Sequence, residues 1–340
     1  MEIEGKIRQV VGDVIAARSG IRPRNLELER KVFGGTEAVE TSLVTARYRD
    51  PRDRAATMRT VVKRLEGRPA REAAVYETLV ANHAPEIAPE LLATRRQGPD
   101  GAIILLEAVR KTRAWPWGDA AVTSGMLTQL GRFHTSVRSN EVRLPEWDFE
   151  HELVTMGNSA YTVLDQNRYN PEIGSLARNL RVIRRVIEAL PGLRRQLLNE
   201  QPFGCRPIHG DVHPGNALVR RRRGQDHPVL IDWGRARMGS PLEDVSSWLQ
   251  TLRFWEFEAQ RLHDTYFRRY LSAFGMPRKL TDDVRAAYWI AGASNALAGA
   301  LIYHLSVILD PKQPRANRKT SYYVALDWLR IIRRAHAWTM

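Results

Sequence analysis

The chain has 340 residues, 43% of them hydrophobic and 26% charged, which is typical of a soluble globular protein large enough for two lobes. Its only cysteine, Cys205, excludes an internal disulfide framework and gives no argument for export. The N-terminal stretch lacks the basic-then-apolar order of a signal peptide, and no run has the length expected of a membrane span. We therefore expect a cytoplasmic protein without a membrane span.

The net charge of +14 is concentrated in the second part of the chain. Residues 1–108 hold 18 Lys and Arg against 16 Asp and Glu, so residues 109–340 carry a balance of +12. A basic field favours anionic partners such as a phosphorylated substrate, nucleic acid or a membrane surface. An arginine-rich composition also arises in a GC-rich genome, so the charge does not identify a partner by itself.

Strand-like and turn-like patterns alternate along the first hundred residues. They predict strands over 26–33, 38–48, 57–65, 91–95 and 102–106, and one helix over 71–82. Beyond residue 119, helical patterns follow at 120–137, 172–200, 242–275, 280–307 and 321–337. The sequence therefore predicts an α+β fold of two lobes, a sheet-rich lobe over 1–108 and a larger helical lobe over 109–340.

One segment of the helical part has strand character instead. Residues 216–219 and 227–234 read as two short strands joined into a hairpin. The run of four arginines at 220–223 then falls at the hairpin tip, where we expect a solvated turn. Nucleic-acid patches usually interleave aromatic residues, and this run has none, so nucleic acid is an unfavoured partner.

Polar residues cluster in HGDVHPGN, residues 209–216, and a further acid, Asp232, follows the next strand in the triplet DWG. Asp211 and Asn216 are five residues apart. This spacing, followed by an aspartate in a D-x-G turn, is that of a kinase catalytic loop and its metal-binding turn. The pattern indicates phosphoryl transfer, in which positioning and charge neutralisation do most of the catalysis.

A zinc site is the weaker alternative for the same segment. His209 and His213 are separated by three residues, a spacing that brings two ligands together on a helix. Pro214 and Gly215 disfavour a helix at this place.

The two motifs resemble those of the aminoglycoside phosphotransferase and choline kinase-like family, small-molecule kinases with a protein-kinase-like two-lobed fold. The resemblance extends over about residues 26–305. It implies that Asp211 is the catalytic base, that Asn216 and Asp232 hold Mg²⁺, and that His209 has a structural role. ATP and Mg²⁺ are the implied cofactors, and Gly234 is expected to allow the sharp turn after Asp232.

The resemblance also assigns the nucleotide contacts to the first lobe. Lys63, at the centre of the third predicted strand, would meet the phosphates and pair with a glutamate of the following helix. Glu72 and Glu77 both compete for that pairing, and the family pattern favours Glu72.

Two further pairs of residues are expected to bind the nucleotide through backbone groups. Gly35 and Thr36 would contact the phosphates, although G-x-G-x-x-G is absent and a plain hairpin turn explains this stretch equally well. Glu107 and Val109 would contact the adenine at the end of the last strand.

The segment after the DWG triplet bears on the substrate. It has no A-P-E motif and reaches a helix near Leu242 within a few residues, leaving little room for a peptide-docking platform. We therefore expect an O-phosphotransferase whose acceptor is a hydroxyl of an antibiotic, sugar, nucleoside or amino alcohol. Asp244 is expected to support the catalytic loop.

Two other classes of function are kept as alternatives. The chain could be a kinase-fold module that binds nucleotide or regulates without turnover. It could also bind nucleic acid or a membrane surface through its basic C-terminal segment, which reads equally well as an amphipathic helix packed on its lobe. The sequence gives no indication of the oligomeric state.

Overall fold

The computed structural model describes residues 2–20, 22–33, 38–50, 52–98, 100–109, 119–137, 141–199, 202–222 and 224–339. The chain forms two compact units. The first comprises Met1–Pro116, Val142–Pro145 and Asn216–Ala236, and the second comprises Trp117–Glu141, Glu146–Gly215 and Arg237–Met340. The lobe boundary predicted at 108/109 stays a prediction. Unlike the predicted first lobe, the first unit includes the hairpin that follows Asn216.

The strands of both units carry the following bounds: β1 (Arg24–Phe33), β2 (Glu40–Arg49), β3 (Ala55–Glu66), β4 (Leu91–Arg96), β5 (Gly101–Glu107), β6 (Arg206–Ile208), β7 (Ala217–Arg222), β8 (Gln225–Leu230) and β9 (Arg237–Gly239). In the first unit, five antiparallel strands form a sheet in the order β1-β2-β3-β5-β4. All five were predicted from the sequence, with ends that differ by at most two residues.

One face of this sheet is covered by the N-terminal helix α1 (Glu2–Ser19). Its buried residues follow the i, i+3, i+4, i+7, i+8 spacing of an apolar helix face: Ile7, Val10, Val11, Val14 and Ile15. They share a core cluster with the sheet residues Val44, Ala46, Val62, Ile103 and Leu105. The amphipathic N-terminal stretch is therefore part of the core of the first unit.

The helix predicted over 71–82 is one helical stretch with a change of winding in its middle. It consists of α2 (Arg71–Val75), a π-helical turn (Tyr76–Val80) and α3 (Ala81–His83). Glu72 in α2 is only 2% exposed. A single π turn within an α-helix is found frequently at functional sites.

The hairpin β7–β8 differs from its prediction at the arginine run. The register pairs Arg220 with His227 and Arg222 with Gln225, so the strands continue to a turn at Gly224, whose φ is 78°. Arg220 is buried and hydrogen-bonds to the carboxylate of Glu107 and the backbone oxygen of Ala88. The expectation of a solvated turn is thus wrong for Arg220, because the longer strands bring it into the interior.

The second unit is helical, and its helices have these bounds: α4 (Ala120–Ser136), α5 (Phe149–Gln166), α6 (Leu180–Leu197), α7 (Pro241–Trp255), α8 (Phe257–Arg261), α9 (His263–Ala273), α10 (Asp282–Asn295), α11 (Leu301–Leu309) and α12 (Arg315–His336). Its largest fully buried side chains are Trp248, Tyr270, Tyr288 and Phe267. A short antiparallel pair, β6 with β9, lies in the same unit and was not predicted.

The stretch Asp282–Leu309 is long and apolar enough to cross a membrane by length and composition alone. Half of its most apolar window is buried inside the protein, and core helices of soluble proteins satisfy the same criteria. A π-helical turn (Ala296–Ala300) interrupts it, with Gly299 at a φ of 147°. The expectation that no run reaches this length was therefore too strict, and the finding is weak evidence for a span.

His304 on α11 makes unfolding of the protein sensitive to pH. Its Nδ1 lies 3.3 Å from Ser321 Oγ of α12, and burial lowers the pKa of His304 from 6.5 to about 4. Between these values the unfolded chain binds more protons than the folded one, so the unfolding free energy falls as the pH drops through 6.5.

We expect His304 to cost about 2 kcal/mol of stability when the pH is lowered from about 7.5 to about 5. His304→Asn keeps a hydrogen-bonding group near Nδ1 but does not titrate, so the variant should lack this loss. Urea unfolding at both pH values measures it, and His151→Asn, at an exposed position of α5, is the matched control. Equal pH dependence of His304→Asn and the unsubstituted protein would contradict the assignment.

Candidate active site

Lys63 forms the centre of a buried ion cluster in the first unit. Its Nζ lies 2.8 and 2.7 Å from the two carboxylate oxygens of Glu72 and 2.9 Å from Oδ1 of Asp232. Burial lowers the pKa of Lys63, but the two carboxylates outweigh it, so the pKa is raised above its ordinary value. The Lys63 ammonium group is therefore held in its charged form between the two carboxylates.

The sheet geometry explains why Lys63 reaches this cluster. Adjacent residues of a strand point to opposite faces, and Val62 belongs to the core beneath α1. Lys63 consequently points away from α1. Glu72 follows within ten residues, after a turn at Gly67 with a φ of 64°. The competing Glu77 pairs with Arg96 instead.

Glu72 also contacts the DWG turn. Its Oε1 accepts a hydrogen bond of 3.3 Å from the backbone N–H of Trp233. The indole of Trp233 is fully buried, and its Nε1 donates to the backbone oxygen of Leu230 at 3.0 Å. One carboxylate thus links β3, α2 and the DWG turn, which fixes where Asp232 lies within the unit.

Asp232 itself has the unusual backbone of this turn. Its φ and ψ are both 66°, the left-handed region that non-glycine residues rarely adopt. Gly234 is not among the glycines with positive φ. The expectation that Gly234 provides the sharp turn is therefore wrong, because the left-handed residue is Asp232. The neighbouring contacts of Lys63 and Trp233 stabilise the strained residue, a pattern found at functional sites.

Asn216 lies at the same open end of the hairpin as the DWG turn. Ala217 pairs with Leu230, and the backbone N–H of Ile231 donates to the backbone oxygen of Asn216 at 2.9 Å. The hairpin therefore brings Asn216 close to the residue that precedes Asp232. Their side chains offer an amide oxygen and a carboxylate, the hard oxygen donors that suit Mg²⁺. The residues present fit a magnesium ion.

Four other residues were predicted to bind the nucleotide: Gly35, Thr36, Glu107 and Val109. Gly35 and Thr36 lie outside the described residues. The backbone N–H of Glu107 donates to Glu90 O at 2.8 Å, and that of Val109 donates to Glu107 O at 3.1 Å. The side chain of Glu107 pairs with Arg220. The N–H of Glu107 is thus engaged within the protein.

In the second unit, Asp244 holds the backbone of the HGD loop. Its Oδ2 accepts from the N–H of His209 and its Oδ1 from the N–H of Gly210, each at 2.8 Å. Gly210 has a φ of 81°, a conformation that glycine adopts without strain. Burial opposes ionisation of Asp244, but hydrogen bonds and nearby histidines hold its pKa below the ordinary value. A buried, ionised carboxylate thus fixes the two residues before Asp211.

The two histidines of the loop use their ring nitrogens for the turn. His209 Nδ1 accepts from the N–H of Asp211 at 3.2 Å, and His213 Nδ1 accepts from the N–H of Gly215 at 3.0 Å. His213 Nε2 lies 3.7 Å from Oδ2 of Asp211. Across the described ranges, no group of three or more His, Cys, Asp or Glu could hold a metal ion. These contacts favour a scaffolding role over the zinc alternative.

Sequence reasoning missed His134 of α4. Its side chain is fully buried, with Nε2 3.1 Å from Asp244 Oδ2 and Nδ1 3.1 Å from the hydroxyl of Tyr270. In the sequence, His134 is recognisable only as a histidine on the apolar face of a predicted helix. That position predicts burial but not the partner, because Asp244 and Tyr270 are more than a hundred residues away.

The two units together contain the structural elements of a known fold class. A sheet unit with a buried lysine–glutamate pair, and a helical unit with an HGD loop held by a buried aspartate, define a protein-kinase-like α+β fold. The prediction of fold class is confirmed, because solved structures of kinases match the chain along most of its length.

The sequence matches the model of the phosphotransferase enzyme family over residues 41–280. The chain therefore belongs to this family, which confirms the predicted resemblance, and it is an enzyme of the small-molecule kinase class. A comparison with curated proteins finds no match.

Three solved structures illustrate the similarity of fold. An aminoglycoside phosphotransferase from Alicyclobacillus acidocaldarius is 14% identical, with 93% of each chain covered and a TM-score of 0.57. Choline kinase from Cryptosporidium parvum is 13% identical, covers 92% of this chain and 93% of its own, and has a TM-score of 0.59. A thermostable mutant of another aminoglycoside phosphotransferase, in a ternary complex with ADP and hygromycin B, is 13% identical, with 95% and 98% covered and a TM-score of 0.52.

Proposed function

We propose that the protein transfers the γ-phosphate of ATP to a hydroxyl group of a small molecule. The observation that carries this proposal is the ion cluster of Lys63, Glu72 and Asp232. A buried lysine with two carboxylates is expensive to desolvate, so its retention indicates a use for the fixed positive charge. Binding of nucleotide phosphates is the use that the family supports.

In this proposal, each residue of the site has a separate role. Lys63 binds the nucleotide phosphates, and Glu72 orients its ammonium group. Asp211 accepts the hydrogen bond of the acceptor hydroxyl and takes its proton as the oxygen attacks the γ-phosphorus, while the bond from that phosphorus to the bridging oxygen breaks and ADP leaves. When bound, Mg²⁺ neutralises phosphate charge, and Asn216 and Asp232 would hold it.

We assign the remaining nucleotide contacts to backbone groups. Gly35 and Thr36 contact the phosphates, and the region of Glu107 and Val109 contacts the adenine. The N–H of Val109 is the better adenine donor of that pair, because its bond to Glu107 O spans only two residues and is easily exchanged. The N–H of Glu107 stays with Glu90.

The acceptor is a hydroxyl-bearing small molecule of the antibiotic, sugar, nucleoside or amino-alcohol type. The similar structures include an aminoglycoside phosphotransferase and a choline kinase, which supports this range. The charge of +12 over residues 109–340 gives no support to a polycationic acceptor in particular.

A second candidate function is a kinase-fold module that binds nucleotide without turnover. The specific observation in its favour is that Lys63 is already neutralised by two carboxylates, so the cluster is stable as a structural element. The two functions differ in product formation and not in nucleotide binding.

A mass-spectrometric acceptor screen tests the proposal. We expect incubation with ATP, Mg²⁺ and a panel of aminoglycosides, choline, sugars, nucleosides and amino alcohols to give an acceptor that gains one phosphoryl group. Chelation of Mg²⁺ should abolish the product. Asp232→Ala should lose Mg²⁺-dependent nucleotide binding, because it removes a metal ligand. Nucleotide binding with no product from any hydroxyl acceptor would favour the module.

A further inference from the structure

Two arginines of the second unit lie against Trp289 of α10, and a third, Arg253, lies on the neighbouring helix α7. Arg330 and Arg334 are one turn apart on α12, and the central carbon of each guanidinium lies 5.9 Å from the centroid of the Trp289 ring. Arg253, near the end of α7, is partly buried. Arg253 is three residues after Gln250 on α7, and the side-chain oxygen of Gln250 accepts from Arg330, so Arg253 and Arg330 lie beside the same part of the helix. Burial and the charge of Arg330 lower the pKa of Arg253, Asp327 and Tyr288 oppose this, and Arg334 lowers it further.

The negative charge beside these arginines is incomplete. Arg330 donates to Asp327 at 2.8 Å and to the side-chain oxygen of Gln250 at 2.9 Å. Its Nη1 is buried without a hydrogen-bond partner. Among the residues that the structure describes, neither Arg253 nor Arg334 forms an ion pair with a carboxylate. Three positive charges therefore share one close carboxylate.

Neutral polar groups line the same region. Tyr288 Oη lies 2.6 Å from Gln250 Nε2, which donates to it, and 2.8 Å from His263 Nε2. Asp264 next to His263 is already paired with Arg285 at 3.0 Å. The hydrogen bonds orient Gln250, and through it Arg330, while the Asp264–Arg285 pair adds no net charge. Arg330 is therefore a fixed donor, and the three arginines together carry an excess of positive charge.

We propose that the arginine site, defined as Arg253, Arg330 and Arg334 with Trp289, binds an anion of the phosphate or carboxylate class. Guanidinium groups bind such anions through paired, charge-assisted hydrogen bonds, and partial burial strengthens them. A bound anion also removes the repulsion among the three cations. This inference goes beyond phosphoryl transfer and does not depend on it.

The arginine site is separate from the catalytic loop. Arg253 follows Asp244 by nine residues of the same helix, which is about 13 Å along the axis and half a turn around it. An anion held by Arg253 is therefore not the phosphoryl group that Asp211 would help to transfer. It is either a free anion or a charged group at the far end of a hydroxyl-bearing ligand.

Isothermal titration of the full-length protein, without nucleotide and at constant chloride concentration, tests the site. The two probes are inorganic phosphate and glycerol 3-phosphate. We expect both to bind, and Arg253→Gln and Arg334→Gln each to weaken binding about tenfold. Arg261→Gln, which removes the same charge from an exposed pair with Glu258, should bind as the unsubstituted protein does.

The outcomes separate the two sources of the anion. Equal affinity for both probes indicates a free anion, whereas tighter binding of glycerol 3-phosphate indicates an anionic group on a larger ligand. In the absence of anion, Arg253→Gln should have a urea midpoint no lower than that of the unsubstituted protein, because it relieves repulsion. The inference is overturned if neither probe binds, or if Arg253→Gln binds phosphate unchanged. Phosphoryl transfer is not measured in this experiment, so its failure would leave the proposed function standing.

Discussion

Asp211→Asn should reduce the rate of phosphoryl transfer by a factor of about 10² to 10⁴, the usual contribution of a general base. The amide has almost the shape of the carboxylate but cannot take a proton from the acceptor hydroxyl. The loop around it should stay folded, because its backbone is held by Asp244 and by the ring nitrogens of His209 and His213.

The measurement compares turnover, nucleotide affinity and the urea midpoint. Turnover should fall while nucleotide affinity stays unchanged, because the Lys63 ammonium group is held by Glu72 and Asp232. Asp165→Asn, in an exposed i,i+3 pair with Arg168 on α5, is the matched control and should retain full turnover. Full turnover in Asp211→Asn would refute the assignment of the base.

Asp244→Asn should lower both stability and turnover. The Asp244 carboxylate accepts from two backbone N–H groups and contacts His134, all in the interior. An asparagine has only one acceptor oxygen, so its NH₂ group meets another donor and at least one buried N–H loses its partner. We expect a loss of about 3 kcal/mol in the free energy of unfolding.

Turnover should fall with Asp244→Asn because the loop that carries Asp211 loses its fixed backbone. Nucleotide affinity should change little, since Asp244 has no part in the Lys63 cluster. Urea unfolding and steady-state kinetics measure the two effects. Asp283→Asn, at an exposed position in the first turn of α10, should cost less than about 0.5 kcal/mol. A normal urea midpoint for Asp244→Asn would contradict the supporting role of this residue.

The stability that Asp244 provides should also depend on pH. Because its pKa is lowered on folding, the contribution is present above the unfolded value of about 3.9 and is lost as the pH falls through the folded pKa. This loss therefore begins at lower pH than the one we expect from His304, which starts as the pH drops through 6.5.

Local patterns were sufficient for the family and for most of the elements, although not for the β6–β9 pair. Alternation of apolar residues identified the five strands of the sheet, and the HGD and DWG motifs identified the family through which Asp211, Asn216 and Asp232 became candidates. These signals are local, because side-chain period, turn residues and motif spacing are set within about ten residues. The helix period likewise indicated that the N-terminal stretch is amphipathic, although not which sheet face it covers.

Other features depend on residues that are distant in sequence. The pairing of Lys63 with Asp232 joins positions 169 apart, and His134 meets Asp244 across 110 residues. The positive φ of Asp232 is unfavourable for its residue type, so local propensity points to the wrong residue of the turn. The burial of Arg220 likewise follows from Glu107 and Ala88, more than a hundred residues earlier.

The sequence by itself determined the α+β class, the family and the polar residues that we propose for phosphoryl transfer. The family pattern already favoured Glu72 and Asp244. Only the tertiary structure decided that Lys63 also pairs with Asp232, that His134 contacts Asp244 beneath the HGD loop, and that Arg330 and Arg334 come together at Trp289. The physical reason is that covalent spacing and periodicity are properties of a short segment. Burial, ion pairing and the balance of neighbouring charges depend on segments brought together by folding.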